Sequence, residues 1–393
     1  MGVIFLAILI ALPLRYLSNK KTEYSDAKWR VGYSRQSILP ADFESKDYVI
    51  AGYFTEETKF AESVLDGIFV RAVCMNDGSG KGTYAIAVID SFGLPLDEVK
   101  AIRNSLADFR SIYNIYAIDI LTTHTHHSID TQGFGSDLIT GENGVDTQYL
   151  KMVKDKTSLA IRTAYSNMQE GALFYGETSI AEYLKDEREP EVVNDTLAKL
   201  RFKPTDEKGK ELYIVNGNFE LNNLGADSLA ISGDVPFYIE QTLNENNIDM
   251  LFVNGSFGGD CLLDLSSLEK ETNEEAVSAC GKEFASSLMG IDNEVALEEK
   301  LVHKRTTVSV PVTNELMEYL FNNDIILNKP TIVNMDTYKY SYTTEVGYLG
   351  IGGIIHIALI SGEVFPELIF GGLREADESV SGNNSVITPL IQL

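Results

Sequence analysis

The chain has 393 residues, of which 44% are hydrophobic and 10% aromatic, and this is enough apolar material to bury a large core. It carries 32 basic and 58 acidic residues, which gives a formal net charge of -26. Because a protein that binds phosphates needs a basic surface, this charge excludes DNA and RNA from the expected partners.

The chain opens on an unbroken apolar run at residues 3–14, followed by Arg15, Lys20 and Lys21. The run is shorter than the roughly 20 residues that cross a bilayer as a helix, and no basic residue precedes it. We interpret residues 1–26 as an N-terminal anchor or signal segment with a polar linker; the alternative is a buried core helix. The anchor predicts membrane association and a membrane-anchored or secreted protein with an extracytoplasmic body.

The rest of the chain, residues 27–393, contains no linker, internal repeat or low-complexity stretch and is predicted to form one domain. Runs of β-branched and aromatic residues predict strands, and apolar residues at helical spacing predict helices. The strands are predicted at residues 48–53, 67–75, 84–89, 116–121, 197–203, 211–215, 250–253, 306–312 and 354–360. The helices are predicted at residues 99–109, 148–168, 235–243 and 274–288, with a short one after residue 363. This order predicts an α/β fold, with a mixed β-sheet core flanked by helices.

The three cysteines, Cys74, Cys261 and Cys280, are an odd number without CxxC spacing. They suggest neither a disulfide framework nor a cysteine zinc site, and we expect them to be buried as small apolar residues.

The most informative string is Thr123-His-Thr-His-His-Ser128, which directly follows a predicted strand. Side chains two residues apart on an extended segment share a face, so His124 and His126 can point into one pocket. Neutral imidazole is a good zinc ligand, so the pattern suits a metal site. The alternative is a polar loop that happens to hold histidines.

A second string, Asn254-Gly-Ser-Phe-Gly-Gly-Asp260, also follows a predicted strand and is similar to a nucleophile elbow. It would place Ser256 as the nucleophile of a serine hydrolase, with His303 or His356 as the candidate base. The alternative is a tight glycine turn that lets the backbone approach another segment.

These strings occur in the order and spacing of the catalytic domain of the neutral ceramidase family, which the chain resembles over roughly residues 29 to 375. Thr123 to His126 matches the family's THTH motif, and residues 187–190 keep the Arg and Pro of its next motif. The segments 218–225 and 231–234, the turn at 254–260 and the string at 362–365 complete the series.

The resemblance implies zinc-dependent hydrolysis of an N-acyl amide bond in a ceramide-like lipid through a metal-activated water. It implies that His124 and Glu363 are zinc ligands, that His126 lies beside the scissile amide, and that Arg188 binds substrate or steadies the oxyanion. Glu220 stands where the family has its second histidine ligand and could bind Zn2+ through oxygen.

The chain departs from the family pattern at Glu220 and ends at Leu393 before the family's zinc-binding tyrosine, so we expect a catalytic domain that is incomplete at its C-terminus. These departures leave a second reading open, a catalytically impaired, membrane-anchored lipid-binding protein on the same fold. The serine hydrolase that would use Ser256 is the third.

Overall fold

The computed structural model describes residues 5–11, 28–53, 58–137, 140, 143–188, 191–259, 261–327, 330–335 and 338–370, with only the backbone described at 5–11, 334, 335, 338 and 370. The basic residues predicted to flank the anchor, Glu189 and Pro190 of the Arg-Pro motif, Asp260, and the C-terminal residues 371–393 lie outside these ranges. The predicted boundary between residues 26 and 27 lies inside the gap at 12–27 and stays a prediction.

The described strands form two main sheets and two short strand pairs. In chain order they are β1 (Phe5–Ala11), β2 (Trp29–Ser37), β3 (Ser63–Val64), β4 (Phe69–Asn76), β5 (Thr83–Ile89), β6 (Ile115–Thr122), β7 (Gln169–Ser179), β8 (Leu184–Asp186), β9 (Thr196–Pro204), β10 (Glu211–Gly217), β11 (Ala230–Ile231), β12 (Ile248–Asn254), β13 (Cys261–Leu263), β14 (Val295–Ala296), β15 (Leu301–Val312), β16 (Thr331–Met335), β17 (Tyr338–Ile351) and β18 (Ile355–Ser361). The described α-helices are α1 (Leu96–Ser105), α2 (Ala107–Tyr113), α3 (Thr147–Ser166), α4 (Val235–Glu245), α5 (Asn273–Gly290), α6 (Glu315–Asn322) and α7 (Glu367–Phe370).

The large sheet has the strand order β12-β10-β9-β7-β2-β4-β5-β6, with β14 beside β7. The pairs β5–β6 and β10–β12 are parallel and the other pairs of this sheet are antiparallel, so the sheet is mixed. The small sheet is antiparallel, in the order β1-β18-β17-β15, with β16 beside β17. The predicted α/β class with a mixed sheet core is confirmed.

Successive side chains of a strand point to opposite faces of the sheet, and both faces of the large sheet carry apolar side chains. On β4, the Cys74 thiol lies against the carbonyl of Ile161 in α3, whereas its neighbour Met75 lines a gap shared with Leu349 and Leu359 of the small sheet. The helices α3, α4 and α5 therefore cover one face and the small sheet covers the other. The second sheet was not predicted as a layer.

Several predicted elements differ from the structure. Residues 48–53 form no strand, and only Val49 and Ile50 make isolated bridges. The helix predicted at 99–109 is interrupted at Leu106, where α1 ends and α2 begins. The helix predicted to reach residue 168 ends at Ser166, and β7 begins at Gln169. The strands β2, β7 and β17 were missed.

Part of the apolar N-terminal run is extended in the structure. Residues 5–11 form β1, which pairs antiparallel with β18 in the small sheet. Within the described ranges, no helix combines the length and the apolar character that crossing a bilayer requires. Membrane anchoring and an extracytoplasmic location stay predictions from the sequence.

The three cysteines are buried and unpaired, as predicted. Burial raises the pKa of the Cys74 thiol well above its ordinary value, so this side chain stays a neutral, apolar group.

Candidate active site

The chain segments that follow β6 and β10 meet the end of β12 at one edge of the large sheet. The parallel neighbours β5 and β6 bring residues 90–92 beside the histidine string, since the amides of Thr123 and His124 donate to the carbonyls of Ile89 and Ser91. The side-chain Nδ2 of Asn254 donates to the backbone carbonyl of Thr123, at 3.2 Å, and to that of Phe219, at 3.0 Å. Strand ends are a common place for sites in α/β proteins because loops from separate strands converge there.

His124 lies in the left-handed region of backbone conformation, with φ at 65°, which few residues other than glycine adopt. Its Nδ1 lies 2.7 Å from the carbonyl oxygen of Phe92. A carbonyl only accepts hydrogen bonds, so Nδ1 carries the proton and Nε2 presents its lone pair to the site.

The free nitrogen of His124 faces Glu363. His124 Nε2 and Glu363 Oε1 are 3.3 Å apart. Burial raises the pKa of Glu363, but the hydrogen bond and the charge that His124 supplies when both of its ring nitrogens are protonated outweigh this, and the net pKa is lowered. Because the Glu363 side chain keeps 43% exposure, solvent screens part of this attraction. The structure thus brings together the two residues that the resemblance names as zinc ligands.

His126 pairs with the other predicted carboxylate. Its Nε2 lies 3.0 Å from Glu220 Oε1, within ion-pair range, although the two are not aligned as a hydrogen bond. The His126 ring is perpendicular to that of His124, with centroids 5.2 Å apart. Four of the five predicted site residues therefore lie in two adjoining imidazole–carboxylate pairs.

The wall around His126 comes from residues to which the sequence assigned no role. The ring of Phe92 lies 4.2 Å from that of His124 and 4.9 Å from that of His126. The Tyr53 ring meets His126 edge-on at 5.3 Å, and its hydroxyl donates to the side chain of Asn222. The aromatic character of residues 48–53, which predicted a strand, was the only signal for this wall.

Gly52 supports the His126 ring directly, and replacing it with alanine is expected to impair the site. Its φ is +90°, and an added Cβ would lie 2.8 Å from His126 Nδ1. Gly80 is the matched control, since its φ is +81° and its Cβ would have no atom within 4 Å. Both variants bear the cost of positive φ, about 1–2 kcal/mol. We expect only Gly52→Ala to displace the His126 ring, seen as a shift of the His126 side-chain NMR signals from their wild-type positions; equal shifts in the two variants would contradict the packing role.

Arg188 is held by carboxylates rather than pointing at the two histidines. It makes ion pairs with Asp186, at 2.9 Å, and with Glu367, at 3.0 Å. The guanidinium also lies 4.9 Å from the centre of the Phe365 ring, and a Cβ on Gly259 would meet it at 2.3 Å. A structural role in these ion pairs accounts for the contacts of Arg188, and its catalytic role stays a prediction.

Ser256 lacks the surroundings of a catalytic serine. The hydroxyl is buried, and its hydrogen-bond partners in the described structure are Asn194, at 3.2 Å, and Asn218, at 3.4 Å. The two candidate bases have other partners: His303 bonds Asp119 and His356 bonds Tyr348. The segment behaves as the tight glycine turn that was the alternative interpretation.

His127 is a further member of the histidine string that was given no role. Its side chain is fully buried, and neither ring nitrogen has a hydrogen-bond partner within the described structure. Burial, with a smaller contribution from the charge of His126, lowers its pKa from 6.5 to about 3. The imidazole is therefore neutral near pH 7.

This lowered pKa predicts an acid sensitivity of the fold. Between pH 6.5 and about 3 the unfolded chain binds a proton at His127 and the folded chain does not. The free energy of unfolding therefore falls as the pH decreases through this window, by up to about 1.4 kcal/mol per pH unit. The variant His127→Phe removes the titration. In urea unfolding at several pH values, the wild-type curve should fall more steeply than that of the variant; parallel curves would refute the assignment.

The donor chemistry fits a metal only in part. His124 and Glu363 offer a nitrogen and an oxygen donor side by side, with the histidine tautomer fixed by Phe92. Among the residues that the structure describes, however, no group of three or more His, Cys, Asp or Glu side chains is close enough to hold a metal ion. Glu220 contacts His126 instead of the His124–Glu363 pair. This contact does not support the role of Glu220 as a metal ligand.

The fold is that of the neutral ceramidases. One solved structure with this fold is described as a ceramidase complexed with C2, and another is the neutral ceramidase from Pseudomonas aeruginosa. Each has a TM-score of 0.66 and 14% sequence identity to this chain. They match 83% and 84% of this chain and 62% and 61% of their own chains, so this chain spans about three-fifths of their length. No protein-family model and no curated sequence matches the chain.

Proposed function

We propose that the chain hydrolyses the N-acyl amide bond of a ceramide-like lipid. The observation that carries the proposal is the contact between His124 and Glu363, with the Nε2 lone pair of His124 fixed by the Phe92 carbonyl and His126 alongside. The shared fold with ceramidases supports the choice of an amide in a lipid.

In this proposal each member of the site has a separate task. His124 and Glu363 would hold a zinc ion, with Glu220 as the candidate for a further ligand. When bound, zinc would activate a water molecule for attack on the amide carbonyl and act as a Lewis acid toward the developing oxyanion. His126 lies on the neighbouring face and stabilises the developing oxyanion by hydrogen bonding or gives a proton to the leaving amine. Water is consumed, the C–N bond breaks, and a carboxylate and an amine leave.

Arg188 enters the proposal as a positioning residue. Its ion pair with Glu367 ties the segment that carries Glu363 to Asp186 at the end of β8. Because both carboxylates are buried and only the guanidinium is partly exposed, these contacts fix the segment.

The test is the metal content of the full chain, purified in detergent and dialysed, by elemental analysis. We expect near-stoichiometric zinc in the wild type and in the control His356→Ala, which lies outside the site, and loss of zinc in His124→Ala. Hydrolysis of a fluorogenic N-acyl sphingoid base should follow the metal. Zinc-loaded protein that cleaves no such amide, or metal-free protein that cleaves it fully, would overturn the proposal.

A second candidate is a lipid-binding protein without hydrolytic activity. Two observations favour it, namely that Glu220 contacts His126 rather than the His124–Glu363 pair, and that no group of three ligands is found in the described ranges. Saturable binding of a ceramide-like lipid with neither zinc nor hydrolysis would select this function.

A further inference from the structure

We propose that one face of an arm of the protein docks on the surface of a lipid bilayer beside the candidate active site. The arm comprises β15, α6, β16 and β17. Its docking surface consists of the exposed apolar side chains Val310, Leu316, Tyr319 and Ile332. The choice of a bilayer rests on the proposed function, because a ceramide-like substrate resides in a membrane.

The strand register places two of these side chains on one side of the sheet. Tyr340 of β17 lies directly opposite Val312 of β15 and Ile332 of β16, and directly opposite partners point to the same face. Val310 lies two residues from Val312 and therefore shares that face. This is the face that α6 covers, since Val312 and Tyr340 pack with residues of α6.

The apolar surface continues onto one flank of α6. Met317 and Leu320 are buried against the sheet, and Leu316 and Tyr319 follow around the helix from Leu320 at about 100° per residue. Their exposures are 44% and 46%. Glu318 lies on the other flank of the helix, whereas Glu315 lies on its outward side, about 40° from Tyr319 at the border of the docking surface.

The arm is nearly neutral, whereas the rest of the molecule is strongly acidic, so the arm is the part better suited to contact a membrane. Residues 301–351 contain four basic and five acidic side chains, whereas the whole chain has 32 and 58. A strongly acidic protein is repelled by anionic lipid, and a nearly neutral element is where that repulsion is smallest. The occupant that fits is a zwitterionic bilayer.

The docking surface also connects to the site. The turn after α6 is fixed to the loop behind the histidines, as the amide of Leu327 donates to the carbonyl of Gln132 at 2.8 Å. The same apolar cluster that holds Leu320 contains Phe92, whose ring contacts both His124 and His126. A bilayer against the arm would therefore lie next to the wall of the candidate active site.

The first experiment uses fluorescence, because the only native tryptophan, Trp29, is fully buried. The full-length variant Leu316→Trp is compared with Leu159→Trp, a residue of α3 with similar exposure, 45%. With vesicles of phosphatidylcholine, we expect a blue shift in Leu316→Trp and loss of its fluorescence when the lipid is brominated. The control should change little, and the N-terminal segment is identical in both.

The second experiment uses the double variant Leu316→Ser/Ile332→Ser, with Ile112→Ser/Leu159→Ser as its control at exposed apolar sites elsewhere. We expect hydrolysis of vesicle-embedded substrate to fall about tenfold in the first pair, with a short-chain soluble amide unaffected.

Equal quenching in both tryptophan variants, or in neither, would overturn the docking surface. A blue shift that occurs without vesicles and grows with protein concentration would also overturn it. That result would mean that the docking surface binds a second copy of the chain. If no amide is hydrolysed at all, the quenching still decides the docking question separately from the proposed function.

Discussion

Replacing His126 with alanine is expected to lower kcat for amide hydrolysis by about 10²–10⁴-fold, the range for loss of a proton-transfer group. The imidazole lies 5.2 Å from His124 across a perpendicular ring contact and faces Glu220, outside the His124–Glu363 pair. The zinc content should therefore stay near that of the wild type. Steady-state kinetics on a soluble N-acyl substrate, with elemental analysis of the same preparation, measure both quantities.

Ser256→Ala is the matched control for this prediction. Ser256 is buried and bonded to asparagines, so its loss should cost about 1 kcal/mol of stability and leave the rate of hydrolysis close to that of the wild type. If Ser256→Ala abolished turnover and His126→Ala did not, the roles assigned to the two residues would have to be exchanged.

Replacing Arg71 with methionine is expected to destabilise the fold by about 3–5 kcal/mol, because it leaves buried carboxylates without their partner. Arg71 is 2% exposed and donates to Asp90 at 2.7 Å and to Glu240 at 2.6 Å. These contacts join β4 to the segment after β5 and to α4. At Glu240 the Arg71 charge outweighs burial and the net pKa is lowered, whereas at Asp90 burial outweighs Arg71 and the net pKa is raised.

Lys151→Met is the comparison for this second prediction. Lys151 and Asp155 form an ion pair on α3 in which both side chains are mostly exposed, and such pairs contribute about 0–1 kcal/mol. Urea unfolding at pH 7 gives both free energies. A loss in Arg71→Met as small as that in Lys151→Met would show that Asp90 and Glu240 find other partners or become protonated.

The sequence predicted the site best where a short local pattern determines the relative positions of two side chains. His124 and His126 lie two apart after a strand, and the structure brings them into ring contact. Glu363 came from the resemblance rather than from any spacing, and the structure brings it to His124. The contact of Glu220 with His126 was not predicted, because it depends on how loops after separate strands meet.

The wall of the site was less accessible to sequence reasoning. Gly52, Tyr53 and Phe92 contact the histidines from distant positions, and apolar or aromatic residues there do not distinguish a site wall from a core. The strand β17 shows a related difficulty. Its alternating tyrosines favour a strand although we predicted none there, and nothing local shows that it joins a second sheet rather than the first.

The contact between His124 and Glu363 joins residues that are 239 positions apart. During synthesis at about 5–20 residues per second, roughly 10–50 seconds separate the appearance of one partner from the other. Throughout that interval the histidine string has already been made and the carboxylate has not. In the proposed function, the nascent chain would therefore stay inactive at least until β18 has closed the small sheet and Glu363 has reached His124.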